Sequence, residues 1–170
     1  MYGYLTENFN YLQPTSFKLV IDRRNYPNLE FFCQSITHPG MIINPVELGI
    51  PRLAGLPIPG ESLTFNELST NILLDENLNS YSEMYNWILR LINNNIGSGG
   101  RGSVATDRNA PTYADITLSI LSSHNNQTKQ VRYIDCIPTA LGDIQFESTA
   151  DGQTFITFAA TFRFNYFKLV

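Results

Sequence analysis

The strongest constraint on the fold is an alternation near the C-terminus. Phe158, Ala160, Phe162, Phe164 and Tyr166 fall on one face of an extended chain. Thr157, Ala159, Thr161, Arg163 and Asn165 fall on the other. A period of two belongs to a β-strand with one buried face, whereas a helix would scatter these aromatics around its axis. The run of roughly nine residues is longer than the usual strand of about 5–6. It therefore extends beyond the domain or crosses two layers.

Further strand signals precede it. Residues 16–22 place Phe17, Leu19 and Ile21 on one face, and residues 29–37 are apolar and β-prone up to the turn at His38-Pro39-Gly40. Ile116, Leu118 and Ile120 alternate with Asp115, Thr117 and Ser119. After a turn at Asn125-Asn126, Val131 and Tyr133 lie in a strand over residues 129–137. Residues 138–142 read as a short connection. Ile144 and Phe146 then alternate with Asp143, Gln145 and Glu147 before a hairpin turn at Asp151-Gly152.

One helix interrupts the strands at about residues 80–93. Ser80 and Glu83 have the spacing of a capping box, and Asp75-Glu76 place negative charge before the helix N-terminus. Tyr81, Met84, Tyr85, Ile88, Leu91 and Ile92 recur at helical spacing, with Trp87 and Leu89 partly off that stripe. The expected fold class is mainly β, a β-barrel or sandwich of antiparallel strands, with one flanking α-helix and a long extended hairpin. The 170 residues suit a single domain over 1–170.

Three segments stand apart from this framework. Residues 41–62 carry Pro45, Pro51, Pro57 and Pro59, which remove backbone donors, yet hold Ile42, Ile43, Val46, Leu48, Ile50, Leu53, Leu56 and Ile58. They read as a proline-stiffened hairpin whose apolar side chains one domain does not fully bury. Residues 1–14 form an N-terminal arm containing Tyr2, Tyr4, Leu5, Phe9, Tyr11 and Leu12. Residues 93–110, rich in Gly, Ser and Asn, read as a flexible surface loop. Uncovered apolar surface marks interaction sites.

Composition narrows the function. Charged residues make up 15% of the chain, hydrophobic residues 43%, and the formal net charge is -4. That balance excludes a disordered chain and argues against a basic nucleic-acid binder. No apolar run reaches the length of a membrane helix, about 20 residues, and residues 1–13 lack the pattern of a secretory signal. Cys33 and Cys136 read as reduced, buried thiols of a cytosolic chain, and with His38 and His124 they do not make a metal site by spacing. The two histidines read as turn residues. There is no nucleophile elbow, and the loop at 97–102 lacks the Gly-Lys-Ser/Thr ending of a phosphate loop. No enzyme and no cofactor are expected.

In order and spacing the chain resembles the tail tube proteins of contractile-tailed bacteriophages, to which type VI secretion tube proteins are related. The resemblance rests on Phe17-Lys18-Leu19 to Ile21, Phe32-Cys33-Gln34 to Pro39-Gly40, and the proline-bearing hairpin from Val46 to Ile58. It continues through Leu74-Asp75-Glu76-Asn77, Tyr81 to Met84-Tyr85-Asn86-Trp87, and Pro138-Thr139 to Leu141-Gly142-Asp143-Ile144. It implies homo-hexameric rings stacked into a rigid tube inside a sheath. DNA passes along the lumen without specific binding. Partners would be the tail sheath protein and the baseplate and tube-terminator proteins, and the isolated subunit would not insert into membranes. The protein would reside in the virion after assembly in the host cytoplasm.

On this reading Tyr2, Tyr4, Phe9, Arg52, Leu53, Leu56 and Pro57 make inter-subunit contacts, and Asp115, Asp143 and Glu147 are candidates to face the lumen. A baseplate, tube-initiator or tube-terminator protein of the same fold is the alternative. A monomeric β-sandwich ligand-binding module is a further one.

Overall fold

Strands distant in sequence pair to build the body. In chain order the elements are β1 (Phe17–Ile21), α1 (Pro27–Phe31), β2 (Cys33–Thr37), β3 (Met41–Ile43), β4 (Val46–Leu48), β5 (Leu56–Ile58), β6 (Leu63–Phe65) and β7 (Leu68–Leu73). There follow α2 (Asn79–Ile96), β8 (Ala114–Leu121), β9 (Gln127–Leu141), β10 (Thr157–Arg163) and β11 (Tyr166–Leu169). The computed structural model describes residues 11–22, 26–31, 33–49, 55–96, 112–148 and 155–170.

All strand pairs are antiparallel, and β9 belongs to two sheets. Its first part pairs with β8 and β11, and β8 pairs in turn with β1. Its last residues pair with β10, which continues to β7 and β2. The transition falls near Asp135, whose φ of 54° is left-handed. A positive φ at a non-glycine residue is uncommon and bends the strand between its two partners.

The inward faces follow the alternation. Leu19 and Ile21 of β1 lie opposite Leu118 and Ile116, and Leu118 and Ile116 lie opposite Val131 and Tyr133. Leu68, Thr70 and Ile72 are buried on β7, as are Phe158, Ala160 and Phe162 on β10. Thr70 is satisfied because its hydroxyl donates to the Ala160 carbonyl at 3.1 Å. Helix α2 closes this core. Tyr81 meets Phe158 edge-on, and Trp87 packs on Phe162 and stacks on Tyr26 at 4.4 Å between centroids. Burying one such side chain contributes about 1.5–3 kcal/mol.

The mainly β fold with a flanking helix is as expected, with several local differences. Residues 27–31 form α1, giving two helices among the described residues and shortening the expected strand to β2. Pro27 suits the first turn of a helix, where its missing N–H costs nothing. Residues 138–141 continue β9 instead of forming a connection, and residues 142–147 carry no strand. The C-terminal alternation holds through Phe162 and then breaks, because β10 and β11 pair with different parts of β9. Phase therefore shifts at Phe164-Asn165: Phe167 turns inward and Tyr166 is exposed. The long run does cross two layers, as the alternative reading had it. Helix α2 runs on through residues 93–96, past the expected helix end and into the expected loop. Its buried face centres on Met84 and Trp87, leaving Tyr85 and Ile92 exposed.

The capping box is also rewired. The Asp75 carboxylate accepts the Ser80 amide and the Ser80 hydroxyl, each at 3.0 Å. Desolvation opposes ionisation there, but these bonds and that of the Asn79 amide hold the Asp75 carboxyl below its ordinary range. Glu83 turns away from Ser80. It accepts the Asn28 amide at 3.2 Å, the Leu29 amide at 3.3 Å and the Asn28 side chain at 2.6 Å. The helix-spaced glutamate thus caps α1, a different helix from its own. Cys136 is buried as expected, whereas Cys33 is half-buried, and both thiols are free.

Candidate interaction surface

The proline-bearing segment forms a two-layer ribbon. The outer ladder pairs β4 with β5, setting Glu47 against Pro57 and Leu48 against Leu56. The inner ladder pairs β3 with β6, setting Met41 against Phe65 and Ile43 against Leu63. The expected hairpin of 41–62 therefore closes three residues later, at Phe65. Proline is tolerated in β5 because a two-stranded ribbon has free edges. The neck between the ladders is tight: a Cβ on Gly60 would stand 1.8 Å from the Asn44 carbonyl oxygen. Only glycine lets the two crossings approach so closely.

This ribbon, residues 41–65, is a second arm, distinct from the N-terminal one. Its apolar side chains lie open on both faces, with relative exposure from 37% at Ile58 to 59% at Met41 and including Ile42, Ile43, Val46, Leu48 and Leu63. A two-stranded hairpin alone is marginal in water, so these side chains call for a covering surface. Exposed apolar side chains gathered on one short ribbon are of the kind that marks protein contacts.

The arm is rooted in an aromatic cluster. Phe65 packs against Phe164 and Phe167, each at 5.4 Å between centroids. His38, at the entry to β3, sits edge-on to Phe167 at 5.0 Å, and its Nδ1 lies 2.6 Å from the Tyr133 hydroxyl. Burial pushes the Tyr133 hydroxyl well above its ordinary pKa and pulls His38 below its own. Both shifts favour neutral partners, with the tyrosine donating to the imidazole. The turn-residue reading of His38 is thus incomplete: the residue is exposed, but it tethers the arm to the body.

The other expected contact and lumen residues are dispersed. Tyr2, Tyr4, Phe9, Arg52 and Leu53 lie outside the described residues. Leu56 pairs through its backbone in β5, and Pro57 is exposed beside it. Asp115 is exposed at the start of β8, where its carboxylate accepts the Asp135 amide at 3.2 Å. Asp143 and Glu147 are exposed in the segment after β9. The sequence reading missed the arm root: Phe164 was read only as part of the inward face of the last strand, and Phe65 and Phe167 were given no role.

Among the described residues no cluster of three or more His, Cys, Asp or Glu is arranged to hold a metal ion. His124 is exposed, with Nδ1 3.3 Å from the Ser123 hydroxyl. Burial raises both thiols to about 12, away from thiolate reactivity. No helix among the described residues is long and apolar enough to cross a membrane.

No protein-family model matches the chain. In sequence it is 28% identical to the tail tube terminator protein of Enterobacteria phage T4, over 97% of this chain and 92% of that protein. In structure it is similar to a chain of the anti-feeding prophage tube-terminating cap, with a TM-score of 0.68 and 13% identity, covering 99% and 95% of the two chains. It is also similar to a chain of the sheath–tube complex of the PVC extracellular contractile injection system, with a TM-score of 0.66 and 12% identity, covering 95% and 93%. The chain therefore shares its fold with components of contractile injection systems and, along nearly its whole length, is similar in sequence to a phage tail tube terminator.

Proposed function

We propose that this chain is a structural protein, not an enzyme, that forms the ring closing the end of a phage tail tube. The observation that carries self-association is the arm, an apolar ribbon with both faces uncovered. The likeness to a tube terminator across 97% of the chain favours the terminating position over the stacked tube subunit that leads the sequence reading. On this reading the chain is one domain with the arm as its assembly device. Tyr2, Tyr4, Phe9, Arg52, Leu53, Leu56 and Pro57 lie at contacts between copies. Rings of six, contact with the sheath, a lumen that DNA passes without binding, residence in the virion and assembly in the host cytoplasm belong to the same proposal. Asp115, Asp143 and Glu147 remain candidates for the lumen, Asp115 also accepting the Asp135 amide.

Copy number separates the two positions. A terminator is present as one ring per tail, and antibody labelling marks one end of the tube. A copy number proportional to tail length would refute the terminating position and restore the tube subunit.

A further inference from the structure

The outer face of the β1–β8–β9–β11 sheet breaks a local rule. Arg132 on β9 and Lys168 on β11 lie directly opposite each other. Both are exposed, on the face away from buried Val131 and Tyr133. Like charges facing across a ladder destabilise it. Among the described residues neither cation is paired with a carboxylate; Lys168 only reaches over the Tyr166 ring, 5.3 Å from its centroid. A local rule broken without internal compensation is expected where a surface serves a partner. The same cross-strand row continues through Thr117 to Val20. With Ile134 two residues from Arg132, this puts half-buried apolar side chains beside the cations.

The arm carries the opposite pattern. Glu47 and Glu61 are exposed on an apolar ribbon, and among the described residues neither is paired with a cation. We propose that the arm of one copy lies across this sheet face of a second copy. Its aliphatic side chains rest on Val20 and Ile134, and its carboxylates face Arg132 and Lys168. The contact joins two different patches of the same chain, so it is heterologous, and such contacts generate rings when the rotation closes. The apolar component favours a second copy over a nucleic acid, which would use the cations alone. The inference rests on the self-association proposed above and names the surface that receives the arm.

Charge reversal tests it on the full chain by sedimentation at low salt. R132E/K168E and E47K/E61K should each weaken self-association at least about tenfold, with unchanged circular dichroism. Combining all four substitutions should restore it. The surface is wrong if either double variant associates like the parent, or if the fourfold variant stays as weak as the doubles. Binding to duplex DNA that R132E/K168E abolishes while self-association persists would also overturn it. Deleting residues 46–58 separates the levels. If the deletion yields a monomer while R132E/K168E does not, only the receiving face fails. If the deletion leaves the oligomer intact, or the parent chain is monomeric at high concentration, the underlying reading fails too.

Discussion

Replacing Glu83 with alanine removes three hydrogen bonds at once, two of them to amides at the start of α1. Bonds to a charged acceptor each contribute about 1.5–3 kcal/mol when fully buried, but that sum overstates the loss here. Burial raises the Glu83 carboxyl above its ordinary range despite the bonds from Asn28 and Leu29, so desolvation offsets much of what the charge gains. The net cost should fall in the range for losing a helix cap, about 1–2 kcal/mol. For a chain of this size that lowers the melting temperature by about 3–6 °C. Glu83→Gln keeps an acceptor and should cost less. The assay is thermal unfolding followed by circular dichroism, arranged as a double-mutant cycle. Glu83→Ala should couple to Asn28→Ala by about 0.5–1.5 kcal/mol and to Ser80→Ala by nearly nothing. Coupling to Ser80 with none to Asn28 would refute the cross-helix cap and restore the local box.

Other substitutions probe the core and the arm. Phe162→Ala should cost about 3–5 kcal/mol in denaturant unfolding, because Trp87 and the sheet lose a fully buried partner; a cost below that of an exposed residue would contradict its central place. Gly60→Ala forces the neck apart at Asn44, so self-association should drop while the melting of the body stays unchanged; normal oligomers would show that the neck geometry is dispensable. His38 is held below its ordinary 6.5 by burial, so the unfolded chain binds more protons between the folded and unfolded values. Its contribution is fully present above about 6.5 and is lost as pH falls through the folded pKa. His38→Gln should flatten the acid side of a stability–pH profile, and an unchanged slope would assign that slope to other groups.

How much of this was legible depended on whether a signal was local. The alternation at Leu19 and Ile21, at Ile116 and Leu118, and at Phe158 to Phe162 is a one-strand property, and it located those strands. The same alternation is present at Leu68, Thr70 and Ile72, but a buried threonine looks polar until its partner, the Ala160 carbonyl, is known. The parity switch at Phe164-Asn165 is invisible in composition, since it arises from pairing with two parts of β9. The Ser80–Glu83 spacing pointed to a local cap, but a long-range donor pair on Asn28 and Leu29 won the carboxylate. The arm was readable as prolines among aliphatics. Its receiving surface was not, because Arg132 and Lys168 are far apart in sequence and meet only in the ladder.

Sharing β9 between two sheets also has a mechanical consequence. A strand hydrogen-bonded in both layers ties them covalently, so a shear on one sheet is passed to the other through the backbone. Any relative sliding must strain the left-handed kink at Asp135 and the break at Phe164-Asn165 together. The body is thus cross-braced at two points, β9 and the passage from β10 to β11. On the function proposed above, this bracing would keep the subunit's shape under axial load while the ribbon meets a neighbour.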